Sequence, residues 1–245
     1  EAVRLESLRV YEAALRIIID GLGMKNTDVI STTDLKQVVA TQNKVHQFDI
    51  DAMYERHIKG IYSAIVAFIS DTTFSRREEQ SADLQWLREA SIHLVEAVKD
   101  TAQLQENLIY YIGSENQKMR ELYNRIRLQI GLIVRDLEEM RASSAGVMDV
   151  LSLDALKLLV DEDQNRLNQS LAELIGKRSI TPAMGSSLIN DSVFAHDICM
   201  NLISAAQTLF VAGVQHPTQA AHDVVLDKSD LTQIGTQAGR DNPGS

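Results

Sequence analysis

The amino-acid sequence predicts an all-α protein, an antiparallel helical bundle of six long helices. Helix-breaking residues are scarce, with 3 prolines and 12 glycines among 245 residues. Apolar residues recur at steps of three and four along most of the chain, which is typical of helices that bury one face. No segment alternates apolar and polar residues as a strand does. The breaks between helical segments are short, which favours antiparallel neighbours.

The first half of the chain contains three predicted helices. An N-cap at Thr32 or Thr33 opens the second helix, which we expect to bend near Phe48 and Asp49. The segment Ser75–Glu78 has the spacing of a capping box and opens the third. From the apolar periodicity, these helices cover about residues 2–20, 33–71 and 76–112.

The second half contains three more predicted helices, over about residues 115–142, 152–177 and 183–211. We expect Ser114 to begin a second capping box, Ser152 to cap the fifth helix, and Thr181-Pro182 to open the sixth. Beyond Gly213 the apolar pattern fades, so residues 213–245 are predicted to form a flexible tail.

A weak internal similarity suggests a duplication within the helical region. The segment Tyr123–Met140 resembles Tyr11–Leu22 in its mixture of apolar and basic positions, and each half of the chain ends in a long third helix. The sequence therefore predicts two tandem three-helix units, one over residues 1–113 and the other over 114–212.

Charge and composition exclude several classes of protein. The formal net charge is −10 and no basic run exceeds Arg76-Arg77, which argues against nucleic-acid binding. The single cysteine, Cys199, excludes an intrachain disulfide and is typical of a reducing compartment. No apolar run is long enough to cross a bilayer, so we expect no direct membrane insertion of this segment. The chain starts at Glu1, and we expect it to be a piece of a longer protein.

No motif of a common enzyme class occurs in the sequence. There is no P-loop, no GxGxxG, no HExxH, no CxxC and no GxSxG. His196 and Cys199 are three residues apart, but no oxyanion site accompanies this pair. We therefore expect a protein that binds and regulates, and not an enzyme.

The best candidate for chemistry is a set of acidic residues on the second and third predicted helices. His93, Glu96 and Asp100 share one face of the third helix, and Asp51 and Glu55 are four residues apart on the second. Carboxylates at this spacing can share a cation. If the two helices face each other, these four acids converge on a multinuclear cation site.

A plainer interpretation of these acids remains open. The face of the third helix could be solvated, with Glu96 paired to Lys99 or Arg88. On the sixth helix, Asp191 and Asp197 are interpreted as surface charge, since a step of six residues places them poorly on one face.

Three stretches of the sequence resemble a known family. Residues 89–100 include Glu96-Ala-Val-Lys-Asp100, which matches the Glu/Asp-x-x-x-Asp motif of PhoU proteins. Residues 49–62 and 191–203 resemble the cytoplasmic PhoU-like region of bacterial sodium/phosphate cotransporters. The resemblance extends over about residues 4–211 and rests on loose helical patterns.

This resemblance implies a fold, a function and a ligand. It implies a cytoplasmic regulatory domain that acts on sodium-dependent phosphate transport at the inner membrane, by docking on the membrane transporter domain of the same polypeptide or by forming a homodimer. It also implies a bound iron or zinc cluster, with Glu96 and Asp100 facing the metal and Asp51 and Glu55 assisting.

The sequence departs from the family pattern at two positions, and other functions remain open. Gln47 replaces an acid one turn before Asp51, and Val193 replaces an acid before Asp197.

One alternative function is that of a free-standing PhoU-type regulator of phosphate signalling. Another is a carboxylate-bridged metal-binding helical protein, in which the metal activates water. A helical scaffold without a ligand is the last.

Overall fold

The computed structural model describes residues 2–31, 34–42, 44–73, 78–143 and 149–211, which belong to one compact unit, Glu1–Ala212. These residues form helices and no β-strand, so the predicted all-α class is confirmed. The helices are α1 Ala2–Gly21, α2 Asn26–Ile30, α3 Leu35–Thr41, α4 Ile50–Tyr54, a π-helical segment Glu55–Lys59, α5 Gly60–Thr73, α6 Glu78–Ile112, α7 Gln117–Ser143, α8 Val150–Gly176 and α9 Pro182–Phe210.

Five of the six predicted helices are present with ends close to those predicted, as α1, α6, α7, α8 and α9. The division into units at residue 113, and the antiparallel arrangement of six helices, stay predictions. The predicted caps at Thr32, Thr33 and Ser75, and the predicted tail over residues 213–245, lie outside the described residues.

The single long helix predicted over residues 33–71 is wrong. The chain forms α3, then a non-helical connection, and then α4, the π-helical segment and α5. Two aspartates begin new helices here: the side chain of Asp34 accepts from the N–H of Gln37 at 3.3 Å, and that of Asp49 from Ala52 at 2.9 Å.

Tertiary packing holds the connection out of helical conformation. Val45 is buried against Gly23, where a Cβ would lie 2.5 Å from Val45 Cγ1. Gly23 has a φ of 68°, in the left-handed region that glycine adopts without strain. The glycine that ends the first helix therefore also provides the space for Val45.

Side-chain caps begin the later helices, and two differ from those predicted. Thr181 Oγ1 accepts from the N–H of Met184 at 3.2 Å, as predicted for α9. Asp149, not Ser152, caps α8, because its carboxylate accepts from the N–H of Ser152 at 3.0 Å. Asn116 caps α7 through the N–H of Met119 at 3.0 Å. In each case the capping residue lies three positions before its donor.

The long helix α6 lies at the centre of the fold. It packs most extensively against α9, next against α1, and less against α5 and α7. Buried aliphatic side chains line these contacts, with Leu94, Leu104 and Leu108 of α6 fully enclosed. The α6–α9 contact positions the candidate site. Within the part of the chain that the structure describes, no helix has both the length and the apolarity that a membrane crossing requires.

Candidate functional site

An open cleft of about 460 Å³ lies between α6 and α9. Three of its lining residues are acidic and one is basic, so the cleft is negatively charged. Its lining consists of Glu96, Lys99 and Asp100 from α6, and Asp197, Met200 and Asn201 from α9.

Helical spacing explains why these side chains meet. On α6, Glu96 and Asp100 are one turn apart, while Val98 between them is buried in the core. On α9, Asp197 and Asn201 are likewise four residues apart, and Ile198 is buried. Each helix therefore turns its apolar stripe to the core and a polar edge to the cleft.

Negative charge is concentrated in the cleft strongly enough to disturb proton binding. Partial burial is the largest cause that raises the pKa of Asp100, and the negative charges of Asp197 and Glu96 add to it, so that the pKa reaches about 6. The ionised form of Asp100 is therefore disfavoured. A cationic group in the cleft would relieve this repulsion.

A hydrogen bond joins the two helices beside the cleft. His93 Nδ1 donates to Asn201 Oδ1 over 2.7 Å. His93 was predicted from the sequence as a candidate ligand. In the structure this imidazole nitrogen is instead used to hold α6 against α9.

His196 connects the cleft to α8. Its Nε2 lies 2.8 Å from Asp161 Oδ1, and its Nδ1 lies 3.1 Å from Asp197 Oδ1. Burial lowers the pKa of His196, but the hydrogen bonds to Asp161 and Asp197 outweigh this effect and the pKa is raised. Only the imidazolium form can donate from both nitrogens, which accounts for the direction of this shift.

The four acids predicted as metal ligands are distributed over separate places. Glu96 and Asp100 line the α6–α9 cleft. Asp51 lines a different cleft, of about 800 Å³, together with Glu106 of α6. Glu55 is exposed and forms an ion pair with Lys59 at 2.6 Å. Because the second predicted helix is broken and α4 begins only at residue 50, Asp51 meets α6 beyond Asp100.

The residue that sequence reasoning missed is Asp197. It was interpreted as surface charge, yet it faces Asp100 across the cleft. The step of four residues from Asp197 to Asn201 was a usable signal, since it places two oxygen-bearing side chains on one edge of α9.

The described part of the chain brings no complete set of iron or zinc ligands together. A structural or catalytic zinc ion takes at least three protein ligands. Among the residues that the structure describes, no group of three or more His, Cys, Asp or Glu side chains is placed to hold a metal ion.

The single thiol is not placed for nucleophilic chemistry. Cys199 is fully buried, and burial raises the pKa of its thiol well above the usual range. A neutral thiol enclosed in the core is a poor nucleophile. It therefore serves as a small core residue of α9.

No protein-family model, no curated protein and no solved structure matches this chain. The resemblance to PhoU proteins rests on the sequence stretches 49–62, 89–100 and 191–203 alone.

Proposed function

We propose that this chain is a PhoU-like regulatory domain that takes part in sodium-dependent phosphate transport, by binding and not by catalysis. One observation carries the proposal: two of the stretches that resemble PhoU-like regions line the same cleft. Glu96 and Asp100 belong to residues 89–100, while Asp197 and Asn201 belong to residues 191–203. Two stretches that are separate in the sequence, and that each resemble the family, thus contribute to one acidic surface.

The proposed role of the cleft is to receive a positively charged group. Its three carboxylates repel one another, and this repulsion adds to the effect of burial on the pKa of Asp100. Lys99 is the one cationic side chain in the lining. A lysine or arginine from the membrane transporter domain of the same polypeptide would neutralise the excess negative charge, which favours docking over the free state. The proposed location is the cytoplasmic face of the inner membrane.

Iron or zinc, which the family resemblance implies, is a separate proposal with its own test. Elemental analysis of the purified chain should be compared with that of the Asp100→Asn and Asp51→Asn variants. If the purified chain holds a stoichiometric metal and only Asp100→Asn removes it, the metal is assigned to the α6–α9 cleft. A chain without bound metal would leave a cationic side chain as the occupant.

Radiolabelled phosphate uptake in cells that carry the parent gene tests the regulatory role. The Asp100→Asn, Asp197→Asn double variant should keep its maximal uptake but lose the difference between phosphate-starved and phosphate-replete cells. Glu173→Gln is the control, because Glu173 is an exposed acid on α8 that pairs with Lys177.

Two outcomes would overturn the proposal. One is an unchanged response to phosphate in the double variant. The other is a parent gene that encodes no membrane-spanning segments, which would favour the free-standing PhoU-type regulator.

A further inference from the structure

A third cleft, of about 720 Å³, lies between α3 and the first half of α7. It shares no lining residue with the α6–α9 cleft. Its apolar wall is formed by Val39 and Ala40 of α3 and Leu128 of α7, and the side chains of Lys36, Arg120 and Arg125 lie beside that wall.

Tight packing holds the two helices that form the cleft. Leu35, at the start of α3, is buried against Gly131 of α7, where an added Cβ would lie 2.8 Å from Leu35 Cδ2. At the other end of α3, the guanidinium of Arg127 donates to the side-chain oxygen of Gln42. Both ends of α3 are therefore fixed to α7, and the cleft is formed before any ligand arrives.

Two of the cationic side chains have no acidic partner among the described residues. Neither Lys36 nor Arg120 forms an ion pair there, whereas Arg125 pairs with Asp163 at 3.1 Å. Arg120 donates through one terminal nitrogen to the carbonyl of Ser114 at 2.8 Å, but its Nε is buried and has no acceptor. A buried donor without an acceptor is uncommon in folded proteins. Because this Nε is enclosed by protein, an anion in the cleft would contact Arg120 through its terminal nitrogens.

The acidic residues of this cleft do not cancel its positive charge. Glu115 and Glu121 also line it, and Glu121 already accepts from Lys118 and Gln117, each at 3.1 Å. Three cationic side chains thus face two anionic ones. A net positive cleft stands out in a chain whose net charge is −10.

We propose that the α3–α7 cleft binds a small amphipathic anion. Its acidic head group, a carboxylate or phosphate, contacts Lys36 and Arg120, and its apolar part packs against Val39, Ala40 and Leu128. A mostly apolar pocket with a few convergent polar groups is the common form of small-molecule sites. This proposal is independent of the function assigned to the acidic cleft.

Titration of the isotope-labelled chain with octanoate, followed by NMR, tests the proposal. We expect shifts confined to the signals of Val39, Ala40, Leu128 and their neighbours. Acetate, which lacks the chain, and octanamide, which lacks the charge, should each bind at least about tenfold more weakly.

Variants of the two unpaired cations provide the matched comparison. Lys36→Gln and Arg120→Gln should each weaken octanoate binding by about tenfold. Lys36 is exposed and forms no hydrogen bond or ion pair with the described residues, so its variant separates binding from folding. Arg9→Gln should leave affinity unchanged, because Arg9 is exposed on α1, pairs with Glu6 and does not line the cleft. Equal affinity for octanamide, shifts mainly elsewhere, or full binding by Lys36→Gln would overturn the proposal.

Discussion

The most deeply buried acid of the described chain, Asp191, is held by neutral hydrogen-bond donors. It is 2% exposed, and it accepts from the hydroxyl of Tyr123 and from Asn107 Nδ2 at 3.3 Å. Burial raises the pKa of Asp191 although both hydrogen bonds lower it. Tyr123 is itself held by stacking on Tyr111, with ring centroids 4.9 Å apart. The interpretation of Asp191 as surface charge is therefore wrong.

Removing the hydroxyl of Tyr123 should destabilise the protein. Tyr123→Phe leaves Asp191 with Asn107 as its remaining donor, and we expect the free energy of unfolding to fall by about 2 kcal/mol. Urea denaturation measures this loss. Tyr110→Phe is the control, because Tyr110 is 65% exposed, and it should change stability by less than about 0.5 kcal/mol. Equal effects of the two variants would show that the Tyr123–Asp191 contact contributes nothing.

Neutralising Asp100 should stabilise the protein in a pH-dependent way. The folded pKa of about 6 lies above the ordinary value of 3.8, so the folded state binds the proton more tightly and Asp100 costs stability as pH rises through this window. Allowing for its partial exposure to solvent, Asp100→Asn should add about 1 kcal/mol at pH 7.5 and nothing at pH 3.5.

Urea denaturation at the two pH values tests this expectation. Glu89→Gln, an exposed acid on the same helix, is the control for the loss of one negative charge. A gain from Asp100→Asn that is the same at both pH values would contradict the repulsion in the cleft.

At the scale of elements, one buried arginine fastens the end of α1 to α7. Arg127 is fully buried and donates to the carbonyls of Leu22 at 2.8 Å and Gly23 at 3.1 Å. Burial lowers the pKa of Arg127 to about 10, so the guanidinium stays charged at neutral pH. The carbonyls at a helix C-terminus carry partial negative charge, which compensates this buried cation.

Replacing Arg127 should loosen this junction. Arg127→Met leaves the two carbonyls without their donor, and we expect a loss of about 3 kcal/mol in the free energy of unfolding. Arg125→Met removes a surface ion pair two residues away and should cost less than about 1 kcal/mol. Thermal and urea denaturation compare the two variants, and similar losses would contradict the role of Arg127.

The sequence predicted the elements whose signal is local and long. The stripes of α6 and α9 run over many turns and carry glycine, proline or capping signals at their ends, so both helices were found. A bend near Phe48 and Asp49 was expected, but the break between α3 and α4 was not, because it depends on Val45 packing against Gly23, a contact between distant parts of the chain. Helix α2 has five residues, too few to show a helical period.

The same distinction, between local signals and contacts between distant parts of the chain, explains which residues of the candidate site were predicted. Glu96 and Asp100 were predicted from their spacing within one helix. The position of Asp197 opposite them depends on how α9 packs on α6, and the apolar periodicity does not specify this packing. Asp51 was assigned to the wrong neighbours because the predicted continuous helix placed it at the wrong height along α6.

At the scale of the whole molecule, several acids are held in environments that disfavour their charge. Burial raises the pKa of Asp20, Asp100, Asp136 and Asp191. Each is protonated more readily in the folded state, so folding is favoured at the lower end of their titration range. The raised pKa of His196 acts in the same direction, since its contribution is lost as pH rises through the folded value.

The protein should therefore be more stable in mildly acidic than in alkaline solution. We expect the free energy of unfolding at pH 5.5 to exceed that at pH 8.0 by about 1–2 kcal/mol, and the net charge of −10 adds self-repulsion in the same sense. Urea denaturation at low ionic strength measures the difference, and added salt should reduce it. Greater stability at pH 8.0 would contradict this expectation.

The proposed function depends on Asp100 and Asp197 sharing one cleft, and a double-mutant cycle tests this most directly. Asp100→Asn, Asp197→Asn and the double variant should be compared by urea denaturation at pH 7.5. If the two charges repel each other, either substitution relieves the same repulsion, and the stabilisation by the double variant should fall short of the sum of the single effects by about 0.5–1 kcal/mol. Additivity within about 0.3 kcal/mol would show that α6 and α9 do not bring these carboxylates together.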